Sequence, residues 1–198
     1  MKDIEFDWSV RTGVCVLALP FTEGVPTTEK AKAMTMWVRA NADRYARRYV
    51  KMYHATNPSL PIEDEGLKPT SNNRRRSFQS TSGYVYLANS PERAKNFGDA
   101  GNQGSSVVYE VLVAIRSLSP DRDQLDNQRL SDHDVGNSIG ESIIFGGGAR
   151  VKGHIEPWAI RKLPPMSSNL FSCLPVAFAY GEDEEADSIQ VEASPMCP

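Results

Sequence analysis

The chain has 198 residues, 40% of them hydrophobic, and a formal net charge of -3, which suits one domain with a sizeable core and argues against a broad nucleic-acid-binding surface. Its three cysteines, Cys15, Cys173 and Cys197, are odd in number and lack metal-ligand spacing, which argues against a disulfide framework and for a reducing cytoplasm. No run is long and apolar enough to span a membrane, and Met1-Lys2-Asp3-Ile4-Glu5 lacks the layout of a signal peptide, so a soluble, intracellular protein without a membrane partner is expected.

Taken in order, Ile4, Phe6, Trp8 and Val10 alternate with polar residues, and an apolar run from Val14 to Leu19 follows Arg11-Thr12-Gly13; together they predict a hairpin. Thr27, after Pro26, is a helix N-cap, and Met34, Trp37, Val38, Ala42, Tyr45 and Tyr49 share one face of the helix it opens. Lys51 to Thr56 reads as a short strand carrying His54, and Glu65-Gly66-Leu67-Lys68-Pro69 is a turn that stops a short helix begun near Ile62. Residues 71–82 form a polar loop with three consecutive arginines, Arg74, Arg75 and Arg76, suited either to solvent or to a phosphate-bearing ligand.

Gly83 to Phe97 reads as a strand running into a helix, with Tyr84 and Tyr86 alternating with Val85 and Leu87 and with Ser90-Pro91 as the helix start. Aromatics at both ends of such a unit suit a flat ring held between them, each contact worth about 0.5 to 1.5 kcal/mol beyond burial. Ordinary core positions for Tyr86 and Phe97 are the plain alternative. Val107 to Ile115 is a nearly continuous apolar strand expected at the centre of a sheet. Residues 117–137 read as a long Asp-rich loop, suited to target recognition or to gating a pocket, and Ser138 to Phe145 as a strand headed by an acid. Gly146-Gly147-Gly148 precedes a second strand that leads into Ile155-Glu156-Pro157-Trp158-Ala159-Ile160. Beyond Pro164-Pro165, a further strand is expected over 170–180 and then an acidic, unstructured tail from Gly181.

Tyr53-His54-Ala55-Thr56, then Gly66-Leu67, then Gly83-Tyr84-Val85-Tyr86-Leu87-Ala88 with an aromatic eleven residues past Tyr86 resembles the ADP-ribosyltransferase superfamily. The pattern is similar to its His-Tyr-Glu branch, which includes the poly(ADP-ribose) polymerases and many small bacterial and phage transferases. Ala55 stands where that branch carries Gly. Ser80-Thr81-Ser82 is similar to the middle signature of the Arg-Ser-Glu toxins, but His54 stands where those carry Arg.

The resemblance covers 51–163 and implies an α+β fold, a split mixed β-sheet around an NAD cleft, with an N-terminal hairpin and helix in 1–50 and an extension in 164–198. It implies His54, Tyr86 and Glu141 as catalytic residues, Glu156 and Glu110 being rivals for the acid. NAD, as substrate, would be bound by His54, Ala55, Thr56, Tyr86, Ala88, Phe97 and Arg76. No metal is implied, and surface roles are expected for His133 and His154.

The activity so implied is transfer of a single ADP-ribose unit to a macromolecule, protein in preference to nucleic acid, by a bacterial toxin or a phage effector acting in the host cytoplasm. Two alternatives stand beside it. One is similarity to RNA 2′-phosphotransferases, which share the Tyr-His start and the Gly-Leu turn; the other is a catalytically inactive reader of NAD or ADP-ribose.

Overall fold

The computed structural model describes residues 7–43, 47–69, 80–102, 104–127 and 137–166. The fold is α+β. Among the described residues the helices are α1 (Trp8–Thr12), α2 (Thr28–Asn41), α3 (Ile62–Glu65), α4 (Pro91–Gly101), α5 (Arg122–Asn127) and α6 (Ile139–Ile144). The strands are β1 (Cys15–Leu17), β2 (Arg48–Thr56), β3 (Tyr84–Ala88), β4 (Val107–Ala114), β5 (Leu118–Ser119), β6 (Gly148–Lys152) and β7 (Ile160–Lys162). They form one sheet in the order β5-β6-β3-β2-β4-β7, antiparallel throughout, with β1 added parallel to the start of β2.

The expected strands at 51–56, 84–88 and 107–115 are present, β2 beginning slightly earlier at Arg48 and β4 ending at Ala114, before a 3-10 turn that starts at Ile115. Val108 to Val113 are all buried between β2 and β7, the central position that their continuous apolar character predicts. Val50 and Met52, Val85 and Leu87, and Val111 and Val113 enter the main core, where Met34 and Val38 of α2 and Ile143 and Ile144 of α6 meet them. Ala88 joins a smaller cluster with Ala94 of α4 and Val108, against which Tyr53 and Ala55 pack. No described helix is long and apolar enough to cross a membrane.

Four expected elements differ. The expected N-terminal hairpin begins at Ile4 and Phe6, which lie outside the described residues; Trp8–Thr12 is helical, with Asp7 accepting from the Ser9 N–H at 2.8 Å and Gly13 at φ 66° closing the turn. Within that span Val10 is 83% exposed. Trp8 is buried instead, its indole donating to Glu110 at 2.6 Å. The following apolar run is a strand, but it pairs with β2 through the crossover helix α2. That helix ends at Asn41, whose side chain bonds back to Trp37 O and receives Arg48, so Tyr49 belongs to β2; Tyr45 lies outside the described residues.

The Asp-rich loop contains β5 and α5 before the described residues stop at 127. Ser138 to Phe145 is helical and not a strand. Ser138 Oγ accepts from the Glu141 N–H at 3.2 Å, while the Glu141 carboxylate accepts from the Ser138 N–H at 2.8 Å, a reciprocal capping box.

Helix α6 crosses α2 at Gly140, where a Cβ would lie 1.9 Å from Ala31 O and 2.4 Å from Thr35 Oγ1. Backbone cannot yield there as a flexible side chain would. Gly140→Ala is therefore expected to lower unfolding free energy by about 3 kcal/mol or more, measured by urea denaturation.

Candidate functional site

The sheet opens between β2 and β3. Their ladder contains one Cα pair, Tyr53 with Ala88, although β2 continues for three further residues against β4. Two residues on, the antiparallel register would set Ala55 opposite Tyr86. In place of that pairing the His54 side chain spans the opening, with Nδ1 2.9 Å from Tyr86 O. A carbonyl only accepts, so Nδ1 carries a proton in this contact.

A cavity of about 190 Å³ adjoins this opening. The end of β2 contributes His54, Ala55 and Thr56, the α3 region contributes residues 60–62 and 65–69, and α4 contributes Phe97, Gly98, Gly101 and Asn102. Phe97 is 42% exposed at this wall. Gly98 lets the helix lie against β2, since a Cβ there would fall 2.5 Å from the Ala55 methyl.

Gly66, at φ 74°, fits the opposite wall in the same way: a Cβ would lie 2.2 Å from Ile155 O. His154 secures that wall through Nε2 to Glu65 O at 2.7 Å, a tie between the cavity and the end of the chain's core that its expected surface role did not include.

The α4 wall is set by a buried ion pair. Lys95 meets Asp99 at 2.6 Å, and Asp99 also accepts from the N–H of Ser106 at 3.1 Å and from its hydroxyl at 2.6 Å. Burial pushes the Asp99 carboxyl up, but the bonds from Lys95 and Ser106 and the Lys95 charge outweigh it and hold it below its ordinary range. This anchors the end of α4 to the start of β4.

Beyond the opening, Tyr86 sits opposite Arg150 of β6, and both meet Asp123 of α5. Asp123 accepts from the Tyr86 hydroxyl, from the Thr81 N–H and Oγ1, both at 2.7 Å, and from Arg150 Nη1 at 3.4 Å. Burial pushes the Tyr86 phenol up, and with the bond to Asp123 it reaches about 12. Burial also raises Asp123, but the bonds from Tyr86 and Thr81 and the Arg150 charge outweigh it and hold the carboxyl low. The Arg150 guanidinium further lies 4.3 Å from the Tyr84 ring centroid.

Of the residues singled out from the sequence, folding brings His54, Ala55, Thr56 and Phe97 to one cavity, with Tyr86 joined to it through its carbonyl. Ala88 forms the last β2–β3 pair beside it. Glu141 is placed elsewhere, in the α6 capping box, and heads no strand; β6 opens on Gly148 instead.

Both rival acids also have partners: Glu110 is buried against Trp8 and Arg161, and Glu156 meets His154 Nδ1 at 3.2 Å. Arg76 and His133 lie outside the described residues. Asp121, Asp123 and Arg150 were not singled out beforehand. The Asp-x-Asp run after Pro120 was the available signal, because an Asp before an amphipathic turn is a helix start. Among the described residues no group of three or more His, Cys, Asp or Glu side chains is placed to hold a metal.

Compared with known proteins, the chain matches no family model, no curated protein and no solved structure.

Asp121 caps α5 by accepting from the Gln124 N–H at 3.1 Å, and its own N–H donates to the fully buried Ser142 hydroxyl, which in turn donates to Gly148 O. Burial, reinforced by Asp123, pushes the Asp121 carboxyl up to about 6 from 3.8. The folded state thus holds this proton more tightly than the unfolded chain. The stability it contributes is complete below 3.8 and lost as pH rises through about 6. Asp121→Asn, which keeps an accepting oxygen, is expected to exceed the wild type by about 2 to 3 kcal/mol at pH 8, the margin closing toward pH 4; denaturation across that range measures it.

Proposed function

We propose that the chain is a mono-ADP-ribosyltransferase that moves ADP-ribose from NAD to a macromolecular acceptor, protein in preference to nucleic acid, and releases nicotinamide. The observation that carries this reading is the His54–Tyr86 link beside the cavity. Residues drawn from β2, β3 and α4, to which the sequence resemblance assigns NAD, meet at one opening in the sheet. That opening supports the split sheet around a cleft which the resemblance implies. The cavity is smaller than the roughly 300 to 1,000 Å³ typical of ligand pockets, and it suits one nucleoside end of a dinucleotide, with the rest lying along the opening.

Departure of nicotinamide leaves positive charge on the ribose, as in glycoside hydrolysis, so the protein must orient the sugar, stabilise that charge and exclude water. In this reading His54 Nε2 accepts from a hydroxyl of the adenosine ribose, the backbone at Ala55 and Thr56 holds the carboxamide, and Tyr86 and Phe97 enclose the nicotinamide. Ala88 keeps the strand end narrow, and Arg76 pairs with the pyrophosphate. Glu141 accepts from the 2′-hydroxyl, a role that requires its carboxylate to serve the ribose as well as the helix cap.

A second reading, binding of NAD or ADP-ribose without turnover, is favoured by the acids: Glu141, Glu110 and Glu156 all have structural partners, and β6 opens on glycine. Nicotinamide release, NAD affinity and transfer of adenine-labelled NAD into lysate protein separate the two. Under the transferase reading, His54→Ala weakens NAD binding by about tenfold, the worth of one hydrogen bond of 1.4 kcal/mol. Glu141→Gln keeps affinity and loses release and labelling. NAD binding by the wild type without release selects the second reading, and absence of NAD binding ends both.

A further inference from the structure

Tyr86 is held at both ends. Its carbonyl receives His54, and its hydroxyl meets Asp123 and lies 3.2 Å from Thr81 O. Asp123 in turn gathers donors from three places: the turn before β3, β3 itself, and Arg150 of β6. One α5 carboxylate therefore fixes the ring of Tyr86 relative to the half of the sheet beyond the opening. A lone phenol could rotate about two side-chain bonds; a charge-assisted bond at its far end selects one orientation. An Asn cannot serve all these donors, because its Nδ2 is itself a donor.

We propose that Asp123 is a positioning residue for the NAD site, holding the Tyr86 ring at the angle and depth at which its face meets the nicotinamide. The proposal rests on the NAD-binding reading given above. Asp123 acts through Tyr86 and touches no substrate itself. Its effect accordingly falls on how well NAD is held, and it disappears when the hydroxyl it holds has been removed.

The test compares wild type, Asp123→Asn, Tyr86→Phe and the double variant. NAD affinity is read as Kd by calorimetry and, with turnover, as KM against kcat in nicotinamide release. Either single change is expected to weaken NAD binding roughly tenfold, the scale of one charge-assisted hydrogen bond, and the double variant to be no weaker than the worse single. Where turnover is present, the change falls on KM more than on kcat.

Ultraviolet titration supplies a readout independent of NAD. The phenol absent from Tyr86→Phe titrates near 12 in the wild type and shifts down in Asp123→Asn. Unchanged affinity in Asp123→Asn alongside weakened affinity in Tyr86→Phe overturns the proposal and leaves the NAD reading standing; so do single effects that multiply in the double variant. A wild type that binds no NAD overturns both, whatever the titration shows.

Discussion

The site depends on the point where two neighbouring strands part. The β2–β3 ladder holds the single pair Tyr53 with Ala88, and a strand N–H or C=O buried beyond it without a substitute partner would cost free energy. The imidazole of His54 supplies that substitute for the Tyr86 carbonyl. The same hydrogen bond that satisfies the backbone also places a proton on Nδ1 of the ring. A side chain without a donor at that reach would leave the Tyr86 carbonyl without this partner.

Holding the sheet open requires close packing around the opening. Helix α4 approaches β2 through Gly98 and the Ala55 methyl, and the Lys95–Asp99–Ser106 group pins its end to the start of β4. Opposite, Gly66 lets the end of α3 meet Ile155, and His154 ties Glu65 to the same wall. Ala55, at a position where the resembling branch carries Gly, is accommodated because the helix above it presents a glycine. Small residues here define the shape of the cavity, whereas the polar ones define what it can bind.

These relations explain which parts of the molecule were legible in the sequence. Strand β2, the β3–α4 unit with its Ser90 cap, and the buried strand β4 carry strong local patterns that agree with their tertiary environments. Cavity residues His54, Thr56 and Phe97 lie on exactly those elements, so they could be found together. Helix α6 was misread because Ser-Ile-Ile-Phe has strand character, while the decisive signal was the Ser138-to-Glu141 capping spacing, two side chains answering each other's backbone. The N-terminal alternation misled for a related reason: Asp7 and Gly13 terminate a helix at both ends, and Trp8 gains its partner Glu110 from more than a hundred residues away. Asp123 was hidden in another way, since its importance arises from strands that pair only in the folded sheet.

The placement of the acids has a physical logic that bears on catalysis. A carboxylate stabilises developing positive charge best when it is ionised and preorganised in a site of low dielectric. Glu110 is preorganised, but the Trp8 indole and Arg161 already answer its charge. Glu141 is half-buried and its carboxylate serves the start of α6, so turning it toward a ribose would weaken a helix crossed tightly by α2. Asp123 is held ionised beside the strand tyrosine, yet its oxygens are taken by the donors of Tyr86, Thr81 and Arg150. Were one of these described carboxylates to serve as the acid of a transferase, activity and local stability would be in direct opposition at that residue. A protein that only binds its ligand faces no such conflict, because holding a ligand does not require a carboxylate to be turned away from the helix or strand that it secures.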